Sequence, residues 1–254
     1  VRIATFNILH GRSPEDGRVD VDRLADAVHT LDADVLGLQE VDRDQPRSMN
    51  ADLTAVAAEA MGAVASQFVA ALAGTPGGTW MAATGEEQPG SAYGIALLSR
   101  VPVVSWRVVR LPVLRRRVPV WFRGDRRPKI VRDEPRVAVA AVLEGAGRRF
   151  TVATTHLSFV PGWNVLQLRR LVRALSGARE PLVLTGDLNL DPDPVRRVSG
   201  LRALASGPTF PADEPARQLD HVLARGPVRA TGPAEVPWLP LSDHRALVVP
   251  CELG

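Results

Sequence analysis

The sequence predicts an α/β fold: two packed sheets with helices outside them, in one domain over residues 1–254. Three observations predict it. Strand-like segments outnumber helical ones. Each half of the chain carries a strand–helix–strand succession, as parallel pairing across a helical crossover requires. The 254 residues are 45% apolar, enough for one large core, and no linker, short repeat or low-complexity tract divides them.

The first strand is Arg2 to Leu9, leading into His10-Gly11. A polar loop follows at Arg12 to Arg18, with Asp20 as the N-cap of a helix to about Thr30. Val21, Leu24, Ala25, Val28 and Leu31 supply its helical spacing. Asp34 to Gln39 is a second strand, buried on both faces and ending at Glu40. Asn50 caps a second helix, Ala51 to Met61, and Gly62 ends it. Residues 66–72 and 79–83 form a hairpin around Gly74 to Gly78, and a loop spans Gly85 to Ser91. Tyr93 to Leu98 and Val103 to Arg110 are strands separated by Ser99 to Pro102. Residues 111–134 are an arginine-rich excursion without a clean period, holding one short strand at Val118 to Phe122. Val137 to Leu143 and Arg149 to Thr155 form a hairpin around Gly145-Ala146-Gly147, and the second strand ends at His156. Trp163 to Leu175 is amphipathic, with Arg169, Arg170 and Arg173 on its solvated side. After a strand at Pro181 to Leu184 come a short helix, Asp193 to Ser199, a strand over Gln218 to Ala224, and a last strand, Ala246 to Cys251.

Composition excludes some classes. The only cysteine is Cys251, so there is no disulfide framework and no thiolate metal cluster. No apolar run approaches the roughly 18 residues of a membrane-spanning helix. No signal segment precedes the first strand, so a cytoplasmic location is the expectation, with no obligate protein partner. The net charge is +3, and nearly all the positive charge is arginine. Twelve basic residues against three acids fall between Arg100 and Arg136. That local excess suits an anionic partner; a solvated basic loop is the competing reading.

Residues capable of chemistry recur where strands end: Asn7, Glu40, His156, Asp187, Asn189, Asp220, Asp243 and His244. In Thr185-Gly-Asp-Leu-Asn-Leu-Asp191, alternation places Asp187 and Asn189 on one side of an extended chain, where together they can hold and activate a water. The same stretch also reads as a turn. Carboxylates, carboxamides and imidazoles without thiols suit a hard cation, Mg²⁺ or Mn²⁺, as one or two ions. His29 and His221 read as structural, and His10, close to Asn7, stays open.

The ordered segments TFNILHG (Thr5–Gly11), LQEVD (Leu38–Asp42), YGIALLSR (Tyr93–Arg100), TTHLS (Thr154–Ser158), TGDLN (Thr185–Asn189), QLDHVL (Gln218–Leu223) and SDHRAL (Ser242–Leu247) resemble the endonuclease/exonuclease/phosphatase (DNase I-like) superfamily from first strand to last. The resemblance implies a four-layer α/β/β/α sandwich that hydrolyses a phosphate ester with a divalent metal. It implies Glu40 as principal metal ligand, with Asn7 beside it and Asp243 completing the set. It implies that Asp187 and Asn189 orient the attacking water. His244 contacts the scissile phosphate or takes the water's proton, with Asp220 orienting its ring. His156 contacts the phosphate and assists the leaving oxygen. Members differ on whether Asp187 or His244 is the base, and the choice stays open here.

A phosphodiesterase is the favoured reading, acting on a small molecule, a lipid head group or nucleic acid. A nuclease, a phosphomonoesterase of lipid or inositol head groups, and a silent binding module on the same scaffold are the alternatives. Tyr93-Gly94-Ile95-Ala96 stands where apurinic endonucleases carry a Gly-Tyr-Ser-Gly-type strand, which argues against abasic-site repair. For substrate binding the expected residues are Tyr93, Arg115, Arg116, Arg117, Arg123 and Arg127, with Trp121-Phe122 as a stacking or membrane-facing tip.

Overall fold

Alternation along the first strand sets the layering. In β1 (Arg2–Asn7), Ala4 and Phe6 pack against α1 (Val21–Leu31) and α2 (Leu53–Met61), whereas Ile3 joins a core between two sheets. The computed structural model describes residues 1–78, 80–85, 90–121, 126–145 and 147–254. Its first sheet also contains β2 (Val35–Arg43), β3 (Ala65–Gly74), β4 (Trp80–Ala82) and β5 (Ala92–Ser99). The chain then crosses into a second sheet at β6 (Val103–Arg110). A separate hairpin, β7 (Arg117–Val120) with β8 (Lys129–Arg132), stands between β6 and the next sheet strand, β9 (Val137–Gly145). The second sheet continues with β10 (Arg148–His156), β11 (Leu182–Asp187), β12 (Arg202–Ala203) and β13 (Asp220–Arg225). The chain returns to the first sheet as β14 (Val228–Ala230) and β15 (Leu247–Leu253). The sheet orders are β14-β15-β1-β2-β5-β3-β4 and β12-β13-β11-β10-β9-β6. Helices α3 (Trp163–Ala174) and α4 (Pro192–Ser199) cover the outer face of the second sheet through Leu168, Leu171 and Val195. The result is the expected four-layer sandwich, and both halves use the same unit: β1–α1–β2 and β10–α3–β11 each join parallel strands across a helix.

The space between the sheets changes character along its length. On β1 the inward positions run Ile3, Thr5, Asn7; on β11 they run Val183, Thr185, Asp187. Ile3 and Val183 are in the apolar inter-sheet core, while Thr5 bonds to Gln39, which also donates to Thr154 Oγ1 at 3.0 Å. β10 follows suit with Val152, Thr154 and His156. Each strand thus delivers a polar group at the same end, on a rigid, buried support.

Several boundaries differ from the sequence reading, for local reasons. β1 stops at Asn7, not Leu9, because Leu9 and His10 take positive φ (45° and 47°). β2 does not end at Glu40 but runs to Arg43. The second helix begins at Leu53, capped by Asp52, whose side chain accepts from Thr54 N and Ala55 N; Asn50 has φ 55° and cannot serve as that cap. The arginine-rich excursion contains a hairpin, not one strand, and Phe122 lies outside the described residues, as do Thr79 and Ala146. Among the described residues no helix is long and apolar enough to cross a membrane.

Candidate active site

Asp187 is the hinge of the site. It is the last residue of β11, and its carboxylate is buried between the sheets. Asn7, from the opposite sheet, donates its amide Nδ2 to Asp187 Oδ2 and to Glu40 Oε1, each at 3.1 Å, while its Oδ1 accepts from Leu9 N. The amide therefore presents N–H groups, not its oxygen, to both carboxylates. His156 Nε2 lies 3.4 Å and His244 Nε2 3.8 Å from Asp187 Oδ2. Asn189 donates its backbone N–H to Asp187 Oδ1 at 2.9 Å, and its side-chain amide reaches Leu157 O at 3.0 Å and His156 Nε2 at 3.3 Å. Asn189 has φ 49°, so it meets Asp187 by a turn and not by strand alternation. The turn and the site are one structure.

Glu40 reaches the same place through a bulge. Pairing of β2 with β5 shifts between Gln39 and Val41, and Glu40 is the extra residue, with φ 57°. Strict alternation after the inward Gln39 would turn residue 40 toward the helices with Leu36 and Leu38. The bulge redirects it into the cleft and lets Val41 join the helix-side core instead. His244 is set by two contacts. Its Nδ1 lies 2.9 Å from Asp220 Oδ2, and its ring packs on Phe210 with centroids 4.9 Å apart. Ser242, at φ 68°, donates its hydroxyl to Asn7 O and accepts from His244 N, tying the last loop to β1.

Burial and neighbouring charges pull these groups apart in acidity. Burial pushes Asp187 up to about 7, with the Asp220 charge adding to it and His244 opposing. Burial alone would lower His244, but the Asp220 and Asp187 carboxylates outweigh it and raise the imidazole to about 10. Burial, then the Arg136 and His244 charges, hold His156 well below the ordinary imidazole range. Burial also raises Glu40, against the Asn7 hydrogen bond and the Arg136 charge. At neutral pH the site holds a charged imidazolium–carboxylate pair (His244 with Asp220), a neutral imidazole (His156) and a carboxyl group poised to change state (Asp187).

A cleft of about 740 Å³ opens over these groups, and Glu40, His156, Asp187, Asn189, Asp243 and His244 all line it. The sequence reading missed several of its walls. Arg47, held to Asp42 by two bonds of 2.7 Å, lies 5.4 Å over the Tyr93 ring, and Tyr93 also lines the cleft. His10 is there too, its imidazole lowered to about 4 by burial and Arg47. Arg132 and Arg136 supply the cleft's other cations. Arg136 is buried, its Nη2 is 3.5 Å from Glu134, and its Nε has no hydrogen-bond partner. No motif marked Arg47 or Arg136; each is one arginine among many in the sequence. Arg115, Arg116, Arg117 and Arg127 are exposed and do not line the cleft, whereas Arg123 lies outside the described residues. His221 is structural, its Nε2 2.8 Å from Leu190 O.

A model of the endonuclease/exonuclease/phosphatase family matches residues 4–244. The chain belongs to this family. Its members hydrolyse phosphoester bonds. An endonuclease/exonuclease/phosphatase from Beutenbergia cavernae is 27% identical with TM-score 0.76, covering 100% of this chain and 72% of that one. The mannosyl-6-phosphatase of Bacteroides thetaiotaomicron is 16% identical with TM-score 0.68, over 100% of both chains. The human Nocturnin catalytic domain is 19% identical with TM-score 0.67, over 100% of this chain and 94% of that one. Among the curated proteins none matches the chain. The family generally uses a divalent metal, and the donor set fits one. Glu40 and Asp243 are carboxylates in the same cleft, and burial raises Glu40. Ligand atoms of Asp187, Asp220 and His244 also lie within 4.8 Å of one another, but the Nδ1 of that histidine is already engaged by Asp220.

Proposed function

We propose that this family member is a divalent-metal-dependent phosphodiesterase in which Asp187 is the base and His244 a charged donor. The observation that carries the reading is the arrangement around one carboxylate. Asp187, at about 7, can take a proton near neutral pH, whereas His244, at about 10, already holds one. Glu40 and Asp243 would hold Mg²⁺ or Mn²⁺, with the Asn7 amide fixing the Glu40 carboxylate. Such an ion, when bound, would supply positive charge against the phosphate and the leaving alkoxide. Asp187 removes a proton from the attacking water, and Asn189 holds the Asp187–His156 edge in place. The water oxygen bonds to phosphorus, one ester P–O bond breaks, the leaving alkoxide takes up a proton from solvent and Asp187 returns its proton to solvent, so the products are a phosphate monoester and an alcohol. The His244 imidazolium, braced by Asp220, and the Arg136 guanidinium stabilise the charge that grows on the phosphate oxygens. Cleft space on both sides of His244 supports a diester, since each ester arm then has room.

A phosphomonoesterase is the second reading. Arg47, Arg132 and Arg136 share one cleft, a cation set that suits a terminal dianionic phosphate, and one structure similar to this chain is a mannosyl-6-phosphatase. A substrate panel separates the two: bis-aryl phosphate, mono-aryl phosphate, plasmid DNA, RNA, sphingomyelin and phosphoinositides, with and without EDTA, for wild type and Asp187→Ala. The expected result is EDTA-sensitive diester cleavage that the variant lacks. Monoester turnover without diester turnover would overturn the first reading in favour of the second.

A further inference from the structure

Among the described residues, β7 and β8 pair with each other and with neither sheet. Their register opposes Arg117 to Arg132, Val118 to Val131, Pro119 to Ile130 and Val120 to Lys129. Alternation puts the first and third of these pairs on one side of the ribbon, and all four of their residues are exposed. On the other side Val118 and Val131 are half-buried and Val120 is buried. The ribbon also borders both clefts beside His244: Val131 and Arg132 line the catalytic one, Val120 and Trp121 the one on the far side.

The outer side is charged and apolar at once. Ile130 is 64% exposed, and Trp121, the residue after β7, is 66% exposed. Arg117 and Arg132 stand directly opposite each other, and like charges so placed oppose pairing in water. Neither has an acidic partner among the described residues. Between Val113 and Arg132 those residues include seven basic side chains and no acid. An anion laid on this side would remove the repulsion. A nucleic-acid backbone supplies anions but leaves Pro119 and Ile130 in water. A bilayer surface supplies lipid phosphates to the arginines and an apolar boundary to Ile130 and Trp121.

We propose that the outer side of the β7–β8 hairpin docks on an anionic phospholipid surface. Trp121 and Ile130 sit at the head-group boundary, and Arg117 and Arg132 take lipid phosphates. Because the same hairpin borders both clefts, docking sets their mouths beside the bilayer. The proposal does not depend on which phosphate ester is cut.

The test uses the whole chain in EDTA, so that binding is read without metal-dependent turnover. Co-sedimentation compares phosphatidylcholine vesicles with vesicles in which about a third of the lipid is phosphatidylglycerol. The anionic vesicles are expected to bind at least about tenfold more tightly at physiological salt. Trp121 emission, taken as the difference between wild type and Trp121→Phe, should shift to the blue on the anionic vesicles as the indole leaves water. Ile130→Asp and Arg117→Ser should each weaken that binding at least about threefold with the thermal midpoint unchanged, because the hairpin packs in neither sheet. Equal binding to the two kinds of vesicle, or none to either, in the wild type would overturn the proposal whether or not a variant folds. Anionic binding that Ile130→Asp leaves intact, with no blue shift, would overturn it as well, since charge alone would then account for it. A labelled DNA duplex bound more tightly than the anionic vesicles at the same salt would overturn it in favour of a nucleic-acid surface. Failure of docking leaves the phosphodiesterase reading standing, and inert diesters leave docking standing, so the two failures are distinct.

Discussion

At the scale of single residues, the account turns on who holds protons. His244 is raised from 6.5 to about 10 because two buried carboxylates face it. A group whose folded pKa lies above its unfolded value stabilises the fold fully below the unfolded pKa and loses that contribution as pH rises through the folded one. The contribution of the His244 pair is therefore full below about 6.5 and declines toward pH 10. Removing one carboxylate charge should reverse the balance, since burial then dominates. In Asp220→Asn, NMR titration of the metal-free protein should show the His244 imidazole losing its proton at least one pH unit lower; an unchanged titration would mean Asp220 does not set its charge. Arg136→Met should lower kcat/KM about a hundredfold, with EDTA sensitivity kept, if the guanidinium serves the phosphate. Loss limited to thermal stability would make Arg136 a purely structural ion. Motif order made the eight polar residues legible in sequence; all but Glu40, which sits in a bulge within β2, lie at a strand end or in the turn beside one. Arg136 and Arg47 were not: their partners Glu134 and Asp42 are near in sequence, but no motif distinguishes these pairs from other neighbouring arginine–acid pairs, and it is the fold that brings them to the cleft.

At the scale of elements, two backbone devices aim the side chains. The Glu40 bulge was invisible to a two-residue period, which is why β2 read as ending there. The step from β11 into the Asp187 turn depends on Gly186. Its φ is 140°, and a Cβ built on it would lie 2.0 Å from Thr155 O, backbone of the neighbouring strand. Gly186→Ala should thus force β10 and β11 apart just where His156 and Asp187 sit. The expected cost is about 3 kcal/mol in chemical denaturation, together with loss of activity. Near-wild-type stability would show that the strands can relax around a side chain there. The long excursion over 111–134 resisted reading for another physical reason. The hairpin of β7 and β8 pairs only with itself, so it carries no alternating face buried against a core.

At the scale of the whole molecule, the site exists because two sheets meet face to face and bring Asn7 and Asp187 together across the interface. Alternating apolar positions and the repeated strand–helix–strand unit made the layers legible in sequence. The closeness of the sheets at mid-length was not legible, because it depends on Gly37. A Cβ there would lie 2.4 Å from Thr154 Oγ1 and 2.8 Å from Thr185 Oγ1, both on the facing sheet. Gly37→Val should wedge the sheets apart beneath the site. The thermal midpoint should drop by several degrees, and any variant that still folds should lose activity through kcat more than through KM. Unchanged kcat in a folded Gly37→Val protein would detach catalysis from the spacing of the sheets.

The central claim is that Asp187 activates water for a metal-assisted attack on a phosphodiester. It is tested most directly by bis-aryl phosphate hydrolysis in wild type and Asp187→Asn, each saturated with Mn²⁺ and with Mn²⁺ affinity measured by calorimetry. The account predicts a fall in kcat of about a hundredfold or more in the variant, Mn²⁺ affinity within a few-fold of wild type, and wild-type turnover abolished by EDTA and restored by added metal. Diester hydrolysis that continues at the wild-type rate in Asp187→Asn, or in EDTA, would contradict it.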